Sequence, residues 1–422
     1  MTILIALINI SFIGFLAYRE WKKLVLSDSI VYWSALSLRL IAGVCVGLVF
    51  KNYYGFGDTF TLFDYACKLV DLLYADPGAY VRTILSNGSR SEFFSSIISV
   101  VNIFTANNYW LTSLWFSFFS FCCSYRLVRK LDFVIPWSKV ASRVALLFYP
   151  TVVFWSSGIV KETLAFGAVS MLAVYFLSFM RGQRITWRSL IAIGLFSFLL
   201  LNLKYYWAAV LMPSIITGLI IHYAVEKKTF NSKILISSWL AVFALLVIAV
   251  SFTHPNFYFE RFLSVIVDNY GEFKQISRAD NLINYYNLSP TWTSVIVNSP
   301  LALLFGLFRP TVFDASTPTA IIAGAENLLL LVLVLGKLRS LRMPMAENQL
   351  IAFTTLVYVV VLCVFLALST PNLGTLSRYR VGFLPFFVIL ILVNHPILKL
   401  FNAKPSDHLR SEPPRSGGSR DL

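Results

Sequence analysis

Two adjacent charged residues, Lys161 and Glu162, interrupt an apolar stretch of the sequence, FYPTVVFWSSGIVKETLAF (148–166). A charged side chain near the centre of a bilayer costs at least about 2.5 kcal/mol, and such residues mark functional sites in membrane proteins. The lysine could contact an anionic group of a substrate, and the carboxylate could orient it or take part in catalysis. An ion pair that snorkels to the membrane interface would explain the same two residues without a ligand.

Two carboxylates, Asp58 and Asp64, lie in the segment YYGFGDTFTLFDYA (53–66) and are suited to act on a hydroxyl group. A hydroxyl that attacks a sugar needs a nearby base to take its proton. Asp58 is the stronger candidate for this catalytic role, and Asp64 is a weaker, substrate-binding candidate because it faces a different direction on a helix. The alternative is that Asp58 only caps a helix that we predict over 59–74.

Four further cations with aromatic or proline neighbours are candidates for binding phosphate. They are Lys204 in NLKYYW, Arg309 in LFGLFRPTVFD, and Arg378 and Arg380 in TPNLGTLSRYRVGFLPFF. A guanidinium group matches the geometry of phosphate and stays charged in a partly dry site. The alternative is that these side chains anchor helix ends at the membrane interface, together with the neighbouring tyrosines.

The composition places these residues in a membrane protein. The chain has 422 residues, of which 58% are hydrophobic and 13% are charged, and this charged fraction is about half that of a typical soluble domain. Its apolar stretches are long enough to cross a hydrocarbon core of about 30 Å. We therefore predict an all-α, polytopic integral membrane protein, with one membrane domain over 1–403 and a disordered cytoplasmic tail over 404–422.

Basic residues between the apolar stretches predict the orientation. The net charge is +15, and the positive-inside rule places the basic clusters in the cytoplasm, the N-terminus outside and the C-terminus inside. About eleven transmembrane helices result, at 2–18, 30–50, 108–125, 142–157, 163–180, 188–203, 206–224, 234–252, 317–336, 350–369 and 381–400. Two shorter apolar segments, 93–106 and 295–308, are predicted to be re-entrant or interfacial helices on the outer side.

The same path brings the candidate residues to the outer ends of helices, where we expect them to line one hydrated cavity of roughly 300–1,000 Å³. The basic residues lie in cytoplasmic loops and no nucleic-acid motif is present, so the lipid bilayer is the expected partner. Cysteines and histidines are scattered, which predicts neither a disulfide framework nor a metal cluster. No cofactor motif is evident, and a divalent metal at a carboxylate stays open.

Several patches together resemble bacterial membrane proteins of saccharide assembly. They are the GDT loop, PTVVFWSSGIVKE, LFRP and NLGTLSRYRVGFLPFF. The RYR…LPFF stretch is similar to the last-helix region of GT-C membrane glycosyltransferases of the mannosyl- and aminoarabinosyl-transferase type. The hydropathy pattern also resembles that of O-antigen and exopolysaccharide polymerases. The patches are scattered over most of the chain, and none is specific by itself.

The GT-C resemblance implies a catalytic carboxylate in the first outer loop, which corresponds to Asp58, and a polyprenyl-phosphate sugar donor held by basic residues. The polymerase resemblance implies outer-loop arginines that hold a lipid-linked oligosaccharide, and Arg309, Arg378 and Arg380 match this role. One departure is that this loop follows the second predicted helix, whereas in GT-C enzymes it usually follows the first. A second is that only Asp64 is available as the additional acidic residue.

Both resemblances imply transfer of a sugar unit from a polyprenyl carrier at the outer face of the bacterial cytoplasmic membrane. Other proteins of polysaccharide assembly are then expected partners. Two other classes of function stay open. A transporter or flippase for lipid-linked saccharides would use the same cations but needs access from both faces, and a scaffold subunit of an export complex would need no reactive residues.

Overall fold

The computed structural model describes residues 2–24, 28–54, 58–86, 88–224, 232–252, 255, 258–314, 318–338 and 346–398. Within these ranges the chain is almost entirely helical (86%) and has no strands. An isolated antiparallel bridge pairs Leu282 with Asn372. The predicted all-α class is confirmed, whereas the predicted tail, 404–422, lies outside the described residues.

The helices follow one another closely, with few long connections between them. In chain order they are α1 (Thr2–Trp21), α2 (Ser29–Val49), α3 (Asp58–Ala75), α4 (Pro77–Leu85), α5 (Arg90–Thr105), α6 (Tyr109–Val134), α7 (Lys139–Arg143), α8 (Pro150–Trp155), α9 (Lys161–Met180), α10 (Trp187–Ala224), α11 (Ser232–Ser251), α12 (Phe259–Ile276), α13 (Trp292–Phe308), α14 (Pro318–Leu338), α15 (Ala346–Ser369), α16 (Leu373–Tyr379) and α17 (Leu384–Leu392). The two short apolar segments predicted on the outer side form α5 and α13.

Seven helices in the described part of the chain are long and apolar enough to cross a membrane. A bent pair, 373–382 with 384–392, would make an eighth span with a bend of 66°. The higher predicted number, about eleven, stays a prediction. One reason for the difference is that the span predicted at 142–157 is broken into α7, a π-helical turn and α8. A second is that the spans predicted at 188–203 and 206–224 are joined into α10.

The charged candidates and the basic clusters lie at opposite ends of α9. This helix begins at Lys161 and ends at Met180, so its ends are about 30 Å apart at 1.5 Å per residue. At the far end, Arg143 pairs with Asp28 at 2.9 Å and Lys130 donates to Gln183 at 3.1 Å. Lys130 and Arg143, which the sequence assigns to the cytoplasmic side, therefore lie near the end of α9 opposite to Glu162.

Close packing of α6 against α2 and α9 depends on small residues. Ser113 donates to the carbonyl of Gly43 in α2 at 3.0 Å, and Ser117 accepts from the backbone N–H of Gly158 at 2.9 Å. Gly158 has a positive φ of 75°, which an L side chain rarely adopts. Small residues of this kind let helix backbones approach closely in membranes, and here they fix the turn that leads into α9.

One buried arginine, Arg39 of α2, supports the broken segment between α7 and α9. Its side chain is 1% exposed and donates to the carbonyls of Leu146 at 2.8 Å and Ser156 at 3.3 Å, and to the hydroxyls of Ser120 and Ser156. Backbone carbonyls at a helix break need such donors, since hydrocarbon supplies none. The described partners of the Arg39 guanidinium are therefore backbone and hydroxyl oxygens at this break.

Gly43 provides a test of this packing, because an added Cβ would lie 2.1 Å from the Ser117 hydroxyl oxygen and 3.1 Å from the Gly158 nitrogen. We expect Gly43→Ala to destabilise the protein by about 1–3 kcal/mol through overpacking. Thermal unfolding in detergent, followed by tryptophan fluorescence, measures the change. The matched control is Gly14→Ala in α1, where the added Cβ meets no atom within 4 Å. Equal shifts in the two variants would contradict the packing described here.

Candidate functional site

The centre of the site is a buried ion cluster that three helices share. Glu162 of α9 is fully buried, and its Oε1 lies 2.6 Å from Nζ of Lys204 in α10. Its Oε2 accepts from Nε and Nη2 of Arg378 in α16, at 2.8 and 2.7 Å. Two positive charges thus surround one negative charge, which leaves an excess of one positive charge in the cluster. A buried carboxylate needs partners of this quality to offset its loss of hydration.

Local backbone breaks bring these three residues together. The turn Ser156–Ser157–Gly158 ends α8 and lets α9 begin at Lys161. α10 leaves helical geometry at Lys204, where φ is −143° and ψ is 66°. α16 is a short helix capped by Asn372, whose side-chain oxygen accepts from the backbone of Thr375 at 2.9 Å. Each charged side chain therefore projects from the end or the kink of a helix.

Aromatic rings enclose the Lys204 ammonium group. Its Nζ lies 3.7 Å from the ring centre of Tyr379 and 5.6 Å from that of Tyr206, with Trp207 at 6.0 Å. A cation over the face of an aromatic ring is attracted by the ring's quadrupole, more strongly where water is excluded. Because the rings fix the ammonium group on one side and Glu162 fixes it on the other, Lys204 is held in one position.

Lys161 and Arg90 lie beside this cluster at the start of two helices. Nζ of Lys161 donates to the Ser91 hydroxyl at 2.9 Å, which joins α9 to α5. The guanidinium group of Arg90 lies over the ring of Tyr205 at 5.1 Å. Arg90 was not among the residues that the sequence predicts for the site. The signal in the sequence was the capping box formed by Ser89 and Glu92. A capping box marks the start of a helix, so it places Arg90 at the N-terminal end of α5.

The carboxylate predicted to be the base, Asp58, begins α3, and its side chain lies outside the described part of the structure. The next residue, Thr59, donates to the carbonyl of Ile159 at 2.7 Å and shares a hydrogen bond with the Tyr109 hydroxyl at 2.8 Å. The backbone at the start of α3 therefore lies beside the start of α9. Asp64 is exposed further along α3.

Arg309 and Asp314 form a separate ion pair. Nε and Nη2 of Arg309 donate to the two Asp314 oxygens at 3.1 and 2.6 Å, and the backbone and hydroxyl of Thr311 donate to Oδ2 at 2.7 and 2.8 Å. The Arg309 guanidinium, supported by the Thr311 donors, lowers the pKa of Asp314 to about 2, whereas burial acts in the opposite direction. The Arg309 side chain thus closes its own loop and does not join the Glu162 cluster.

Arg380 is also engaged in holding the backbone. It is 1% exposed and donates to the carbonyls of Arg309 and Leu307, both at 3.0 Å, and to the side-chain oxygen of Asn327 at 2.8 Å. Two residues earlier, Arg378 faces Glu162. Adjacent candidates in one motif therefore face different parts of the protein, and only Arg378 joins the ion cluster.

The sequence predicts that the charged candidates line one hydrated cavity. A cavity of the predicted size in the structure has a different, apolar lining. A cavity of about 610 Å³ is lined by side chains of α1, α5, α6, α9 and α10, and none of the charged candidates lines it. Its lining is apolar apart from Asn9, whose side chain is hydrogen-bonded to Phe104 and Trp115. Among the described residues, no group of three His, Cys, Asp or Glu could hold a metal ion.

Comparison with known proteins adds no relative. No family model matches the chain, and neither the curated proteins nor the solved structures contain a match.

The Glu162 cluster makes a strong thermodynamic prediction. Glu162→Gln should destabilise the protein by about 3–5 kcal/mol, because it leaves Lys204 and Arg378 without their buried carboxylate. Arg378→Met should destabilise it by less, because Glu162 keeps its contact with Lys204. The double variant should cost less than the sum of the two single variants, since it removes the pair together. Unfolding by a denaturing detergent measures all three values.

The matched control is the pair Glu20–Lys23, whose atoms are also 2.7 Å apart but whose side chains are 32% and 53% exposed. Exposed pairs couple by about 0.2–1 kcal/mol, so the same cycle on this pair should show a small coupling. Additive effects at Glu162 and Arg378 would contradict the buried pairing.

The Arg309–Asp314 pair predicts a pH dependence. Because the folded state lowers the pKa of Asp314 to about 2, against about 3.9 in an unfolded chain, its stabilising effect is complete at neutral pH and is lost as the pH falls through this interval. The melting temperature of the wild type should exceed that of Asp314→Asn at pH 7. This difference should shrink below about pH 5, and a difference that stays constant down to pH 3 would disprove the pairing.

Proposed function

We propose that the protein transfers or polymerises sugar units from a polyprenyl-phosphate-linked donor at the outer face of the bacterial cytoplasmic membrane. The observation that carries this proposal is the cluster of Lys204, Glu162 and Arg378 at one end of α9, with its excess of positive charge. Such a cluster suits a ligand with an anionic group at the membrane surface, which is the chemistry of a lipid-linked phosphate.

The positions of the basic clusters support the proposed orientation. Arg143, Lys130 and their partners lie at the end of α9 opposite to Glu162. If the basic end faces the cytoplasm, as the positive-inside rule expects, the Glu162 end faces outward. The N-terminus is then outside and the C-terminus inside, and a lipid carrier in the outer leaflet lies on the same side of the membrane as the cluster.

The proposed reaction is a displacement at the sugar carbon that carries the phosphate. The acceptor hydroxyl attacks this carbon and forms the new C–O bond, while the bond between the carbon and the phosphate oxygen breaks. The leaving phosphate keeps the electron pair, and Arg378, Lys204 and Lys161 stabilise its charge. Asp58 takes the proton of the attacking hydroxyl, and the hydrogen bond from the Thr59 hydroxyl to the Ile159 carbonyl supports the position of Asp58 beside α9.

In this proposal Glu162 positions the two cations and does not accept a proton. Both of its oxygens are in contact with cations at 2.6–2.8 Å, so the geometry favours a residue that positions Lys204 and Arg378. Arg309 and Arg380 support the loop 309–314 and the end of α13 through the bonds described above. Their contribution to phosphate binding is then indirect, through the placement of α16.

Substitution of the proposed base tests the reaction. Asp58→Asn should lower transfer from a purified lipid-linked donor by about 10²–10⁴-fold, the range expected for loss of a general base. The matched control is Asp71→Asn, because Asp71 is exposed on the same helix. Product formation is measured from the length of the glycan on extracted lipid-linked material, and melting temperature is checked in parallel.

Arg378→Lys, which keeps a positive charge but loses the guanidinium fork, extends the test to cells. A transferase variant should lose product while its lipid-linked precursor still accumulates at the outer face. A flippase variant would strand the precursor at the inner face. A scaffold would tolerate both Asp58→Asn and Arg378→Lys, and either of these last two results would overturn the proposal.

A further inference from the structure

The apolar cavity and the charged residues share the same helix faces. Along α5, Ile97, Val101 and Phe104 line the cavity, and Arg90 lies on the same face because the intervals of seven, four and three residues follow the helical repeat. On α9, Leu164 lines the cavity three residues after Lys161, so these two side chains are neighbours. A continuous surface thus runs from two cations at its end into an apolar groove.

The dimensions of this surface suit an elongated amphiphile. Arg90 and Phe104 are 14 residues apart on α5, which corresponds to about 21 Å along the helix axis. The cavity volume of about 610 Å³ lies in the usual range for sites that bind small molecules, roughly 300–1,000 Å³. Phe93 of α5 meets Phe198 of α10 edge to face, with ring centres 5.6 Å apart, and this contact packs the two helices together.

The groove gives no polar group to a ligand. The side chain of Asn9 donates to the carbonyls of Ile5 at 2.9 Å and Phe104 at 3.1 Å, and it accepts from the Trp115 indole N–H at 2.7 Å. Both of its N–H groups and one lone pair of its oxygen are therefore used within the protein. A hydrocarbon chain is the chemistry that such a lining accepts, and an anionic head group is the chemistry that Arg90 and Lys161 accept.

We propose that this groove holds the hydrocarbon chain of a polyprenyl phosphate, with its phosphate bound by Arg90 and Lys161. The identity of the lipid rests on the proposed function, whereas the position of its chain rests on the groove itself. The donor would then enter sideways from the outer leaflet and place its phosphate next to the cluster of Lys204, Glu162 and Arg378. Arg90 is thereby assigned as a specificity-determining residue for the phosphate.

Photolabelling tests the groove directly. The probe is a polyprenyl phosphate with a diazirine on its chain, cross-linked to the full-length protein in nanodiscs and mapped by mass spectrometry. We expect labelled residues on α5 and α6, and a loss of about tenfold or more when Val101→Trp fills the groove. The matched control is Val100→Trp, since Val100 is 44% exposed on the same helix and does not line the groove.

The phosphate requirement is tested with the same samples. Arg90→Gln should reduce labelling by the polyprenyl phosphate, and a polyprenol with the same diazirine should label the wild type weakly. Equal labelling of the Val101→Trp and Val100→Trp variants would overturn the groove. Equal labelling by the phosphate and by the polyprenol would overturn the role of Arg90, and so would equal labelling by a diazirine phospholipid. Melting temperatures of all variants exclude unfolding as a cause.

A transfer assay separates this inference from the proposed function. Groove labelling that depends on Val101 and Arg90, without sugar transfer by the wild type, would remove the transferase but keep a lipid phosphate site. Sugar transfer that Val101→Trp does not change would remove the groove but keep the transferase.

Discussion

The arrangement at one end of the helix bundle depends on the pairing of one buried carboxylate with two cations. Glu162 is fully buried, and each of its oxygens lies within 2.8 Å of a nitrogen of Lys204 or Arg378. In a medium of low polarity an unpaired carboxylate would be very unfavourable, so α9, α10 and α16 must keep their positions for the three charges to meet. The same requirement fixes the backbone kink at Lys204.

Two other buried cations, Arg39 and Arg380, donate hydrogen bonds to backbone carbonyls where helices are broken. Helix breaks leave carbonyl groups without intrahelical donors, and hydrocarbon cannot satisfy them. Arg39 supplies donors to the break around Leu146 and Ser156, and Arg380 supplies donors to the end of α13. The broken helices thus become rigid supports for Lys161, Glu162 and Arg378, and the proposed reaction needs such rigidity because its electrostatic stabilisation depends on fixed charges.

Sequence patterns located the helices well where apolar runs are long and uninterrupted. The predicted segments 163–180 and 350–369 lie within α9 and α15, because hydrophobic length is a strong signal. The break inside 142–157 and the joining of two segments at Lys204 were not foreseen. The break coincides with Pro150, which begins α8 and cannot continue a preceding helix, a signal that a hydropathy pattern ignores. The kink at Lys204 accompanies its contact with Glu162, a distant residue that no local pattern reveals.

Individual residue types pointed to the candidate site, but their partners could not be predicted. Glu162 and Arg378 are 216 positions apart, and no local pattern links them. Arg378 and Arg380 look equivalent in the sequence SRYRVG. Arg378 lies in the last turn of α16 and points toward Glu162, whereas Arg380 follows the helix and points toward Asn327. Arg90 was missed because an exposed arginine in a polar loop resembles any solvated residue.

The central claim is that the cations at the start of α9 bind a lipid-linked phosphate. A cryo-electron microscopy structure of the protein in nanodiscs with a saturating polyprenyl phosphate tests it most directly. We expect density for the phosphate within hydrogen-bonding distance of Lys161, Arg90 or Arg378. Phosphate density at the opposite end of α9, near Arg143 or Arg181, would contradict it, and so would the absence of any bound phosphate.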